Sequence, residues 1–192
     1  MKNEPNLVAV YLEPIQGEGG IKVPQQGYLA KVKELCVKYN CLLIADEVQT
    51  GFGRTGKLMA WEHDMPGSKP DILVVAKSIS GGFSPVSGFL CDDFIMMQIK
   101  PGEHGSTFGG NPMGMAVSKK AVEVLLSEGM VENAQIMGDY LLSLTSSLKS
   151  SLIKEVRGRG LFQAIEFKND LKVNANDLTN ILFKNGLITK AA

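Results

Sequence analysis

Cys41-Leu42-Leu43-Ile44-Ala45-Asp46-Glu47 is an unbroken apolar run that ends abruptly in two carboxylates. A strand with one wet face alternates polar and apolar residues, so an uninterrupted run predicts a strand covered on both faces. Just before it, Leu29, Val32, Cys36 and Tyr39 recur at helical spacing, with Lys31, Lys33, Glu34 and Lys38 between them. That spacing predicts an amphipathic helix over 27–39 lying on a sheet, ended by Asn40. Residues 7–12 form another short apolar run, closed by Glu13-Pro14, where proline has no N–H to give to a ladder. Strand, helix, strand in this order predicts a parallel crossover unit.

The pattern repeats in Asp71-Ile72-Leu73-Val74-Val75-Ala76-Lys77, which runs into Ser78-Ile79-Ser80-Gly81-Gly82, and 86–90 reads as the next strand. After Asn111-Pro112, Val117, Ala121, Val124 and Leu125 mark a helix. Beyond the break at Glu128-Gly129, Ala134, Met137, Leu141, Leu144 and Leu148 mark a second. Val156-Arg157-Gly158-Arg159-Gly160-Leu161 opens a second βα unit, with a strand expected at 161–167 and a helix at 176–184. The reading is an α/β protein. Residues 1–127 form part of a large mixed-sheet domain, 128–150 a connecting helix, and 151–192 the start of a small C-terminal α/β domain.

Composition narrows the function classes. Lys plus Arg and Asp plus Glu each number 20 in 192 residues, so no net field favours nucleic acid or an anionic membrane as partner. No stretch approaches the roughly 18 apolar residues of a spanning helix, and the expectation is a soluble protein without a visible signal peptide. Cys36, Cys41 and Cys91 form neither a CxxC pair nor a disulfide framework, which favours a reducing compartment, with cytosol as the default and the mitochondrial matrix as the alternative. His63 and His104 stand far apart without neighbouring ligand types, and no metal is assigned.

In doubly wound sheets ligands sit beyond the carboxyl ends of the strands, and Glu13, Asp46 and Lys77 each follow an apolar run. A lysine buried at such a strand end is expensive to keep charged, so its pKa should fall and its neutral amine become a nucleophile toward a carbonyl. Gly105-Ser106-Thr107-Phe108-Gly109-Gly110 gathers small residues and two hydroxyls before a helix, a composition suited to a phosphate as well as to an ordinary surface turn.

Ile44-Ala45-Asp46-Glu47-Val48-Gln49-Thr50-Gly51-Phe52-Gly53-Arg54-Thr55-Gly56, followed by Lys77-Ser78-Ile79-Ser80-Gly81-Gly82, closely resembles the signature of class III pyridoxal-phosphate-dependent aminotransferases. The resemblance covers essentially the whole chain and implies fold type I and pyridoxal 5'-phosphate as cofactor. It implies Lys77 as the Schiff-base lysine and proton carrier, with Asp46 bonded to the pyridine nitrogen. Val48 would lie beneath the ring, Gln49 at the ring oxygen, and Ser106 and Thr107 at the phosphate. Thr107 would serve the neighbouring subunit's cofactor, which implies a homodimer or higher homo-oligomer.

Within the class, Pro85-Val86-Ser87, Cys91-Asp92-Asp93 and 99–107 most resemble ornithine aminotransferases. That likeness implies transfer of the δ-amino group of ornithine to 2-oxoglutarate. Glu13 and Glu18 are then substrate-binding residues, Glu18 as a switch that pairs with an arginine in one half-reaction. Acetylornithine or another ω-amino acid is the alternative substrate, and a non-catalytic dimerising fragment the alternative role. Ser84 and Ser78 depart from the tyrosine and alanine usual in these enzymes. The family's chains are longer. The expectation is that the Gly-rich phosphate turn, the aromatic stacked on the pyridine and the arginine answering Glu18 lie outside this sequence, which leaves little or no activity in it alone.

Overall fold

The computed structural model describes residues 1–2, 4–168 and 174–191. Four strands, β1 (Ala9–Leu12), β2 (Leu42–Asp46), β3 (Ile72–Val75) and β4 (Gly88–Cys91), form one sheet in that order. β1, β2 and β3 are mutually parallel, with Leu12 beside Ala45 and Asp46 beside Val74, while β4 runs antiparallel to β3. The crossover from β1 to β2 is helix α1 (Tyr28–Lys38), as its spacing predicts.

Leu29 and Cys36 on α1 meet Cys41 and Leu43 at the start of β2 and Met65 from the following loop, all nearly inaccessible. Burying a leucine or methionine here contributes about 1.5–3 kcal/mol; Lys31 and Lys38 remain exposed, while half-buried Lys33 pairs with Asp71 (2.6 Å). Gly27, at φ 86°, offers α1 no side-chain cap. Asp64 supplies it from a distance, accepting hydrogen bonds from the Gly27 N–H and from the Leu29 N–H (2.6 Å). Those donors would otherwise be buried without partners, the usual problem of a helix start.

β2 departs from the expected two-sided burial. Cys41, Leu43 and Ala45 are buried, whereas Leu42, Ile44 and Asp46 are half-buried. One face of the strand meets α1 and the loop core; the other borders a cleft.

Two longer helices follow, α3 (Pro112–Ser127) and α4 (Met130–Ser146), after a single turn α2 (Asp93–Met96). Asn111 caps α3 by accepting from the Gly114 N–H (2.8 Å), and Pro112 occupies its first turn, where the missing N–H costs nothing. Among the described residues no helix is long and apolar enough to cross a membrane.

The C-terminal part corrects the expected βα opening. Residues Ile153–Arg159 are a strand, β5, that pairs antiparallel with β6 (Phe162–Phe167), and α5 (Ala175–Lys184) follows. Lys154, Glu155 and Gly158 hide β5 from a pattern-based reading, because such residues are depleted in strands. Of the unit expected over 151–192, positions 169–173 and 192 lie outside the described residues.

This hairpin docks by backbone contact. Leu161 donates its N–H to the Arg54 carbonyl (3.1 Å). A Cβ on Gly160, at φ 52°, would stand 2.4 Å from the Thr55 carbonyl carbon, and one on Gly138 of α4 only 2.2 Å from that of Gly160. Alanine in a helix interior is favoured over glycine by about 1 kcal/mol, but prying apart packed backbones costs about 1–3 kcal/mol. Gly138→Ala is therefore expected to lower stability, by up to about 2 kcal/mol, read as a lower urea midpoint; a raised midpoint would contradict this packing.

Candidate active site

The parallel register aligns the carboxyl ends of β1, β2 and β3 on one edge of the sheet. Glu13 follows Leu12, Asp46 closes β2, and Lys77 lies two residues beyond Val75. The three ionisable groups expected at strand ends are thus delivered to one side.

Side-chain alternation with period two decides what each carboxylate does. Glu47 continues the series Cys41, Leu43, Ala45 and is fully buried. Asp46 continues Leu42 and Ile44 on the cleft face, which it shares with Tyr11, the register partner of Ile44. Tyr11 donates its hydroxyl proton to Asp46 Oδ2 (2.6 Å), and the Val48 N–H donates to Oδ1 (2.9 Å). Both oxygens are oriented. The bond to Asp46 pushes the Tyr11 phenol up to about 12, so it remains a donor throughout the neutral range.

Tyr11, Glu13 and Asp46, with Gln16, Lys22 and Tyr28, line a cleft of about 490 Å³. Small-molecule pockets run from about 300 to 1,000 Å³. Glu13 is partly occupied in shaping its rim, accepting from the Gly17 N–H (2.9 Å).

Lys77 departs from expectation. It is exposed, not buried, because β3 ends at Val75 and the chain swings out into a 3-10 turn, Lys77–Ser80. Its backbone adopts φ 43°, the left-handed region that a side-chain-bearing residue enters at a cost of order 1 kcal/mol. Such outliers concentrate where a side chain must be aimed. Lys77 is also near enough to Glu18 to add to the lowering of that carboxyl's pKa.

Glu18 accepts from Lys190 Nζ (2.6 Å) and from Gln49 Nε2 (3.2 Å), and these two bonds, the lysine's first, are the main causes of its lowered pKa. Gln49 is therefore engaged with a carboxylate. Val48 is half-buried and turns its amide to Asp46. Ser106 and Thr107 are exposed on the loop before α3, away from the cleft lining, with Ser106 Oγ accepting from the Gly109 N–H (2.9 Å).

Four residues of this arrangement were not picked out from sequence. Tyr11 reads as one apolar residue of a strand, although its diagonal relation to Asp46 is what parallel pairing creates. Glu47 holds the Thr50 hydroxyl and the Trp61 N–H (2.8 Å) in the core, and burial raises its pKa. Its signal was the period-two alternation. Lys190 and Arg157 reach the 16–22 loop from more than 130 residues away, and no local pattern announces that.

The donor set fits pyridoxal phosphate in kind: a two-point-oriented carboxylate for a protonated ring nitrogen, a primary amine just beyond the end of the next strand for a carbonyl, and hydroxyls for a phosphate. The cleft lining supplies the first; the Lys77 amine and the hydroxyls lie outside it.

Residues 1–192 match the family model for class-III aminotransferases. The chain is 51% identical over 187 residues to the mitochondrial ornithine aminotransferase of Drosophila melanogaster, covering 97% of this chain and 42% of that one. It superposes with TM-score 0.93 and 45% identity on the ornithine aminotransferase of Toxoplasma gondii, covering 98% of this chain and 44% of that one; that structure has partial occupancy of pyridoxal phosphate at its active site. The acetylornithine aminotransferase of Elizabethkingia anophelis gives TM-score 0.92 and 46% identity, over 99% and 50%. The chain thus spans half or less of the length of the relatives it matches. With its signature on one sheet edge and the family model matched from end to end, this chain belongs to the class-III aminotransferases.

Proposed function

We propose that this chain carries the lysine-bearing, ring-binding part of an aminotransferase that moves the δ-amino group of L-ornithine to 2-oxoglutarate, giving glutamate semialdehyde and glutamate. The observation that supports it most is the juxtaposition of Asp46 and Lys77 at the carboxyl ends of adjacent parallel strands. Pyridoxal phosphate, when bound, supplies a carbonyl that an amine can engage and an electron-poor ring that acidifies the neighbouring substrate carbon.

In this reading Asp46 presents a carboxylate to the ring nitrogen, held square by Tyr11 and the Val48 amide. Tyr11, kept protonated, prevents that carboxylate from rotating out of line. Lys77 would hold the cofactor's carbonyl through Nζ and, with its amine free, would serve as the general acid and base that moves a proton at the substrate carbon. Val48 would lie beneath the ring, and Gln49, whose amide bonds Glu18, would serve the ring oxygen. Ser106 and Thr107 would serve the phosphate, Thr107 that of a second copy of the chain, in keeping with its place outside this chain's own cleft. Glu13 and Glu18 are the substrate-binding carboxylates, Glu18 as the switch that pairs with an arginine in one half-reaction and frees it in the other. The assembly is then a homodimer, and the description of the Drosophila relative as mitochondrial favours the matrix over the cytosol. Residues 1–127 are the large-domain part, 128–150 the connecting helix and 151–192 part of the small domain.

A second reading, N-acetylornithine as donor, is favoured by the equal likeness to the Elizabethkingia structure. Steady-state rates of a full-length form with ornithine, N-acetylornithine and 4-aminobutyrate against 2-oxoglutarate separate the two. Ornithine should give the highest kcat/KM; a clear preference for the acetylated donor would transfer the assignment.

Adding pyridoxal phosphate, reducing with borohydride and mapping peptides by mass should place the adduct on Lys77, and Lys77→Ala should abolish it. Labelling scattered over many lysines would refute the site. Asp46→Asn keeps the shape but loses the charge of a bond worth about 1.5–3 kcal/mol, so cofactor affinity should weaken roughly tenfold to a hundredfold. An unchanged Kd would remove Asp46 from the ring-binding role.

A further inference from the structure

The loop that carries Glu18 is held from outside its own sheet. Arg157, on β5, donates from Nη2 and Nε to the Gly20 carbonyl (2.6 and 3.1 Å) and from Nε to the Ile21 carbonyl (3.0 Å). Its remaining nitrogen, Nη1, donates to Glu155 (2.9 Å) and Glu166 (2.5 Å). The side chain is only 13% exposed, so a guanidinium is fixed between two carbonyls of one unit and two carboxylates of another. Gly20 and Ile21 both have positive φ, 94° and 50°, and for a β-branched residue such as Ile21 that is an outlier which needs outside support.

Other bonds point the same way. The loop is closed at its base by reciprocal bonds between Gln16 and Lys22, Lys22 lies 3.8 Å from Glu166, and Lys190 pairs directly with Glu18. Hydrogen bonds from Lys154 and then Arg157 hold the Glu166 carboxyl down to about 2, so the anchor keeps its charge at any working pH.

We infer that Arg157 is a positioning residue: it clamps the 16–22 loop to the β5–β6 hairpin, so that Glu18 is set relative to Gln49 and Lys77 by the C-terminal unit and moves with it. Glu18's part in recognising the amino donor rests on the function proposed above; the clamp itself does not. Only arginine fits, because three separately directed nitrogens serve four partners, whereas a lysine offers one.

Amide hydrogen exchange on the 192-residue chain, compared with Arg157→Lys and Arg157→Ala, tests the clamp. Gly20, Ile21 and Lys22, whose amides close the loop, should exchange at least about tenfold faster in Arg157→Lys, while Leu43 to Ala45 in β2 stay near their original rate. Unchanged loop exchange in both variants overturns the proposal, and so does a rise of the same factor in β2, which would make Arg157 merely a stability residue. In catalytically active protein, Arg157→Lys should raise KM for the amino donor several-fold with kcat close to the original. Faster loop exchange in the variants, with no aminotransferase activity toward ornithine in a full-length form of the enzyme, would leave the clamp standing and refute the proposed function.

Discussion

The parallel register of β1, β2 and β3 is the constraint on which the rest depends. Setting Leu12 beside Ala45 and Asp46 beside Val74 brings three strand ends to one edge. It also puts Tyr11 one diagonal from Asp46, within reach of its 2.6 Å hydrogen bond. A slip of one residue would exchange the faces of every side chain on β2, sending Asp46 into the core and Glu47 into the cleft.

Two adjacent carboxylates thereby acquire opposite work. Glu47, wholly inaccessible, is tolerated because Thr50 and the Trp61 amide satisfy its oxygens, and it organises the long excursion between β2 and β3. That excursion returns Asp64 to cap α1 and Met65 to complete the core beneath it. The apparatus on the cleft face therefore stands on a core assembled by the same few residues.

The C-terminal hairpin is joined to this base by two kinds of contact. Backbone meets backbone at Gly138, Gly160 and Thr55, where no Cβ has room, and a guanidinium bridges the 16–22 loop to Glu166. The first fixes how near the units come; the second ties a loop near Lys77 to the hairpin's charge network.

The sequence by itself determined the crossover unit, the strand-end positions of Glu13, Asp46 and Lys77, and the family, because strand alternation, helical spacing and a contiguous signature are all local. It did not reveal β5, whose charges and Gly158 mask its pairing, nor that one face of β2 is only half covered. Only the tertiary structure decided that Asp46 is oriented by Tyr11, that Lys77 stands exposed on strained backbone, and that Lys190 and Arg157 hold the loop of Glu18. These are contacts between residues 35 to 172 positions apart, or consequences of where a strand stops. Such contacts arise when the packed chain satisfies its buried donors and acceptors, and a one-dimensional pattern carries no record of which distant partner will do so.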